Sequence, residues 1–155
     1  MQTHQQHLCF QAKADLDQLE LISNKIAKEL ATEKFFCLWL VGDIGAGKTT
    51  LAGLILRHLG LASEIPVTSP TFTYLSDYKI GPKTYAHLDF YRISAKNPPL
   101  SDFLNDLEYE GMLVEWPENL GEQTHAIQPT HVLEIAKSPD LLSRFYQFFK
   151  VAVMP

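Results

Sequence analysis

Residues 35–41, FFCLWLV, run directly into residues 42–49, GDIGAGKT, and this junction decides how the chain reads. The first stretch is apolar without alternation, as a strand covered on both faces requires. The second matches G-x-x-x-x-G-K-[ST] in every fixed position. Average residue usage would produce that match by chance in roughly one of 200 chains of this size, and here it also has the required strand before it and a helical stretch after it. The glycines let backbone N–H groups turn inward and approach a phosphate with no Cβ in the way. Lys48 brings a point charge to the β- and γ-phosphates, and the Thr49 hydroxyl is a hard oxygen suited to Mg²⁺. A helix expected over 49–59 would point its positive end at the same anion. The nucleotide-binding set is accordingly Asp43, Gly45, Ala46, Gly47, Lys48, Thr49 and Thr50, with a nucleoside triphosphate and Mg²⁺ as ligands.

Upstream, Leu16, Leu19, Ile22, Ile26 and Leu30 recur at three- and four-residue steps, which predicts an amphipathic helix over 14–32. Asp15 with Gln18 resembles a capping box at its start. Residues 1–13 read as a polar tail or a short lead-in strand around Leu8 and Phe10. Downstream, 72–80 and 83–90 are rich in Tyr, Thr and Phe and flank Gly81-Pro82, a β-hairpin signature. Ser101 is placed to cap a short helix through 107. Short strands are expected at 112–116 and 132–136, while the pattern of 141–153 fits helix or strand equally. A strand–loop–helix unit with further strands on one sheet gives an α/β class: a mixed central sheet flanked by helices, with the hairpin following the phosphate-loop helix, in a single domain over 1–155.

Bulk properties narrow the function. The chain has 155 residues and a formal net charge of −5, from 13 Lys+Arg against 18 Asp+Glu. That balance argues against a protein that grips nucleic acid unaided, since neutralising phosphates needs a basic face. The start, MQTHQQHLC, lacks the basic and apolar segments of a signal peptide. No apolar run approaches the roughly 18 residues of a membrane span. Cys9 and Cys37 offer neither metal spacing nor a disulfide framework. A soluble, cytoplasmic protein is the expectation.

A phosphate loop needs an acid at the end of a neighbouring strand. Asp89, in HLDFYR (87–92), and Glu115, in MLVEWPE (112–118), both qualify, and Glu115 follows the more continuous apolar run. Ser69 and Thr71, in SPTFTY (69–74), supply hydroxyls between the loop's helix and the hairpin, where a segment sensing the γ-phosphate could lie.

GDIGAGKT, SPTFTY, HLDFYR and EWPE, in this order and over roughly 16–135, resemble the TsaE (YjeE) family. Its members are small bacterial P-loop ATPases required for making the threonylcarbamoyladenosine modification of tRNA. The resemblance implies a P-loop NTPase-like fold. Lys48 and Thr49 would be the phosphate and Mg²⁺ ligands, Glu115 the acid at the metal, and Asp89 a second acid needed for ATP turnover. Thr71 would belong to a switch-like segment, Trp116 would sit beside the nucleotide, and Arg92 would support the same surface. It further implies an ATPase that is weak alone and acts with TsaD and TsaB, using ATP to reset that assembly between turnovers and meeting tRNA only through it. The chain departs from the family in places. Leu19 or Gln18 stands where many members carry a base-approaching Thr, 98–110 is shorter and less like the family than its flanks and receives no function, and the tail lacks the usual Gly before Arg144, although strand is favoured there.

The competing class is a small-molecule or nucleoside kinase. Such enzymes close an arginine-bearing lid over the transferred phosphate. This chain has only Arg57, Arg92 and Arg144, not clustered. A GTPase would need NKxD after the loop, and none follows. His87 reads as a packed or hydrogen-bonded strand residue rather than a general base. The other histidines show no ligand spacing, and Cys37 and Trp39 read as core.

Overall fold

The computed structural model describes residues 5–94, 99–104 and 108–152. In chain order its elements are β1 (Gln5–Ala14), α1 (Leu19–Leu30), β2 (Phe36–Gly42), α2 (Lys48–His58), β3 (Leu75–Ile80), β4 (Lys83–Asp89), α3 (Leu100–Leu104), β5 (Gly111–Glu115), β6 (His131–Lys137) and β7 (Arg144–Ala152). Two 3-10 segments, Leu16–Gln18 and Pro117–Ile127, join them.

All seven strands form one sheet in the order β1-β7-β6-β2-β5-β4-β3. The centre is parallel, β2 pairing with β5 and β6, and β4 with β5. The flanks are antiparallel: β1 on β7, β7 on β6, and β3 on β4. The expected mixed sheet and hairpin are therefore both present.

The apolar run of β2 follows from having both sheet faces covered. Phe36, Leu38 and Leu40 join the core built with α1 and α2. Cys37 and Trp39 face the opposite core, with Leu88, Phe90, Leu100 and Leu120. Burial pushes the Cys37 thiol up to about 12, which leaves it protonated and unreactive. The Trp39 ring packs on the same side and donates its Nε1–H to the Ile127 carbonyl at 3.0 Å.

Several boundaries differ from the pattern-based expectation. The lead-in is a full ten-residue strand, held by β7 at the sheet's edge rather than a tail. Most of its residues are exposed, and the alternation of Phe10, Ala12 and Ala14 toward the core covers just its second half. The first helix opens with a 3-10 turn whose Asp15–Gln18 capping box is intact, and the α-helix proper begins at Leu19. Hairpin pairing starts at Leu75, because 72–74 lie in a turn in which Tyr74 takes φ 65°. The short helix starts at Leu100, so Ser101 lies inside its first turn and does not cap it. The Leu100 amide is taken instead by the Gln123 side chain at 2.8 Å. The expected extension to 105–107 lies outside the described residues, as does the end of the tail at Val153. The tail is strand.

Gly111 marks a close approach between β5 and the core. A Cβ there would stand 2.3 Å from the ring of Phe36, which is 2% exposed and stacked on Tyr85 at 5.9 Å. The ring has little room to retreat. Gly111→Ala is expected to lower unfolding free energy by about 1–3 kcal/mol. Urea denaturation would check this, and a midpoint equal to that of the parent would contradict the packing described.

Candidate functional site

The site lies outside the carboxyl ends of the parallel strands, where the loop leaves β2 for α2. Ligands of open α/β sheets bind in such crevices. The register puts Leu40 opposite Glu115, and Glu115 opposite Asp89. Two acids at the ends of β5 and β4 thus stand side by side at the level where β2 gives way to the loop.

The loop turns into α2 through Gly47, at φ 104°, a left-handed conformation that side chains resist. Lys48 follows it, 5% exposed. Its ammonium donates to the Gly42 and Asp43 carbonyls at 2.6 and 2.9 Å and lies 4.1 Å from the centre of the Trp116 ring. Burial lowers the Lys48 pKa, while Glu115, Glu118, Asp89 and Asp43 oppose that shift. The cation is therefore surrounded by acids yet, among the described residues, bonded only to backbone oxygens, which leaves it able to turn toward an incoming anion.

Thr49 Oγ1 donates to the Glu115 carboxylate, 2.8 Å from one oxygen and 3.1 Å from the other. Across β4, His87 is fully buried and its Nε2–H donates to the same carboxylate at 2.8 Å. Its other ring nitrogen has no partner among the described residues. Asp89, 2% exposed, accepts from Ser69 Oγ, from Thr71 Oγ1 at 3.2 Å and from the Tyr91 amide at 2.8 Å. Thr49, Glu115 and His87 thus form one linked group, and Asp89 with the two hydroxyls of SPTFTY forms another.

Trp116 directly follows Glu115 and sits at φ 57°, unusual for a bulky residue. Strained backbone of this kind persists only where its surroundings hold it. Here the ring packs at 5.0 Å from Tyr91 and over Lys48. Arg92 lies over the exposed ring of Phe72, 4.7 Å from its centre. Of the other arginines, Arg57 binds the Ala62 and Ile65 carbonyls, and Arg144 binds those of Leu141, Ser143 and Gly45.

A cavity of about 540 Å³ collects Gly45, Gly47, Lys48, Thr49, Thr50, Ser69, Thr71, Asp89, Arg92, Glu115 and Trp116. Of the residues expected at the site, only Asp43 and Ala46 are missing from its lining. Ala46 lines an adjoining cavity of about 300 Å³ that shares Gly45, Gly47 and Thr50 with the first. Leu16, Leu19, Leu141, Leu142 and Tyr146 give this second space apolar walls. Leu19 is among them, whereas the Gln18 side chain is spent on the Asp15 amide. Asp43 contributes its carbonyl, to Lys48 and to the Ala46 amide, while the residue itself is exposed.

Sequence reasoning missed His87 as part of the site, and the wall supplied by 141–146. His87 lies two residues before Asp89, on the same strand face, which was the available signal. For the wall there was none, because these residues come from the far end of the chain. Lys137 and Arg144 reach the loop from the same region, donating to the Ile44 and Gly45 carbonyls.

A family model described as threonylcarbamoyl adenosine biosynthesis protein TsaE matches residues 13–144. A Haemophilus influenzae protein named tRNA threonylcarbamoyladenosine biosynthesis protein TsaE is 37% identical over 98 residues, covering 61% of this chain and 60% of its own length. Proteins of the same name from Synechocystis and Aquifex aeolicus are each 34% identical, the matched regions covering 68% and 63% of this chain and 68% of each relative. The crystal structure of Bacillus subtilis YdiB superposes with a TM-score of 0.66 at 24% identity, covering 97% of this chain and 88% of that one, a likeness of fold. The fold is P-loop NTPase-like, and the chain belongs to the TsaE family.

Proposed function

We propose that this chain binds and hydrolyses ATP with Mg²⁺, and that it serves N⁶-threonylcarbamoyladenosine formation on tRNA by acting on a TsaD–TsaB complex in the cytoplasm. The observation that carries the reading is the Thr49–Glu115 pair beside Lys48, facing Asp89, Ser69 and Thr71 across one cavity. The names of its relatives supply the pathway.

Thr49 and Glu115 would hold Mg²⁺, because a hydroxyl and a carboxylate are hard oxygen donors and a cation can take the place of the proton they now share. When bound, the ion would neutralise charge on the β- and γ-phosphates. Lys48 would exchange two backbone carbonyls for phosphate oxygens. Glu115 is held in place by His87, so its carboxylate need not reorganise when ligand arrives. Asp89 is placed to accept a proton from an attacking water, and Ser69 and Thr71 on its carboxylate would couple the SPTFTY segment to the state of the γ-phosphate. Trp116 and Arg92 would border the triphosphate, and the apolar second cavity would take the nucleoside.

Turnover by the isolated chain is expected to be weak. Arg92 is the one arginine lining the larger cavity, and it is engaged with Phe72. Partner proteins would supply what completes the site, with tRNA meeting this subunit only through them. The same shortage of arginines disfavours a kinase.

Lys48→Ala is expected to abolish ATP binding in an equilibrium titration, while Glu115→Ala keeps most binding and loses hydrolysis. Retained micromolar affinity in the first, or unchanged turnover in the second, would sink the assignment. His87 is a positioning residue acting through Glu115. His87→Ala should lower kcat about tenfold or more while ATP affinity stays within about threefold. His87→Gln, which keeps a donor, should recover part of the rate. Turnover in His87→Ala equal to the parent would show that Glu115 needs no such support.

A further inference from the structure

A second cluster of ligating groups lies away from the nucleotide cavity. Glu29 on α1, Glu33 just beyond that helix and His131 at the start of β6 each place one ligand atom within 4.8 Å of the other two. The start of α1 borders the loop through Leu19, and Glu29 and Glu33 sit at its other end. β6 runs parallel to β2, so its first residue is also at the end opposite the loop.

The buried imidazole supplies an independent sign of a missing partner. His131 is 0% exposed, and its Nε2 has no hydrogen-bond partner among the described residues. Thr130 Oγ1 accepts from the Cys37 amide at 2.9 Å and is hydrogen-bonded to His131 Nδ1 at 2.9 Å. When Nδ1 carries the ring proton and donates it to that hydroxyl, Nε2 keeps a lone pair, the form in which imidazole binds a metal. The ring is further held by stacking on Phe148 at 5.4 Å. Metal-ligating histidines are oriented in this way by a bond to their second nitrogen.

We propose that Glu29, Glu33 and His131 form a binding site for a divalent transition-metal ion of the zinc type, joining α1 to the sheet. An imidazole with two carboxylates suits zinc, whereas Mg²⁺ and Ca²⁺ prefer oxygen ligands alone. Tetrahedral zinc sets its ligand atoms roughly 3.3 Å apart. The two glutamates, 39% and 27% exposed in their side chains, have the freedom to close that difference. Lys150, register partner of His131, now lies against this acid pair, bonded to Glu33 and 4.0 Å from Glu29. Its ammonium occupies the place of the cation. With its side chain 47% exposed, it can swing into solvent when a metal enters. Lys150 is thus a built-in competitor for the site.

The full-length chain, freed of nucleotide and metal, would be titrated with Zn²⁺ by calorimetry and with Co²⁺ by visible absorption. Saturable binding of a single equivalent is expected. His131→Gln should weaken it by about tenfold or more, and Lys150→Met should strengthen it. The gain in Lys150→Met cannot come from misfolding, and circular dichroism of His131→Gln guards its loss. Cys9 has an exposed thiol on β1 that feels the Glu29 charge, so Cys9→Ser is the control. Binding that survives Cys9→Ser and fails in His131→Gln supports the site. No binding by the parent, or binding lost with Cys9 and kept without His131, overturns it.

Discussion

Thr49 meets Glu115 because β5 pairs in parallel with β2 in a register that places Glu115 opposite Leu40, two residues before the loop begins. The same register one strand further out places Asp89 beside Glu115. Sliding either strand by one residue would turn its acid to the other face of the sheet. Everything at the site depends on this alignment: the hydroxyl on the carboxylate, the imidazole behind it, and the second acid facing the SPTFTY hydroxyls. What secures it is burial on both faces, with β2 and β5 contributing Leu38, Leu40 and Leu113 to one core and Cys37 and Val114 to the other.

The electrostatic arrangement suits a ligand that brings its own negative charge and its own cation. Lys48 is buried among Glu115, Glu118, Asp89 and Asp43, and burial is the largest influence on its pKa. A triphosphate entering with Mg²⁺ would give the ammonium an anion and the carboxylates a cation, and so satisfy both. Either component alone would leave one sign of charge unanswered in a partly dry cavity. Nucleotide and metal should therefore each favour the binding of the other.

The loop was legible in the sequence because its chemistry is local, with spacing and residue types fixed over eight positions. Glu115 and Asp89 were legible as strand ends, each closing a short apolar stretch. Their mutual alignment was not, since register is a long-range property. β1 was legible just around Leu8 and Phe10, because the alternation that reaches the core, Phe10, Ala12 and Ala14, is short and ends in small residues. The cavity wall of Leu141, Leu142 and Tyr146 was hidden for a related reason: it reaches the loop through β7 and β6, across nearly a hundred residues of chain. His87 looked like ordinary strand packing, and it is buried and hydrogen-bonded as that reading held. Its partner gives it significance, and partners across a sheet are not written along a strand.

Nucleotide chemistry at this site would do its work through a partner assembly. The most direct measurement is ATP hydrolysis by the purified chain, alone and with a TsaD–TsaB pair, alongside association of the three proteins with and without ATP. The expected result is ATP-dependent association and hydrolysis that rises well above the isolated rate, both lost in Lys48→Ala. Absence of association under every nucleotide condition, with hydrolysis unchanged by the pair, would contradict it.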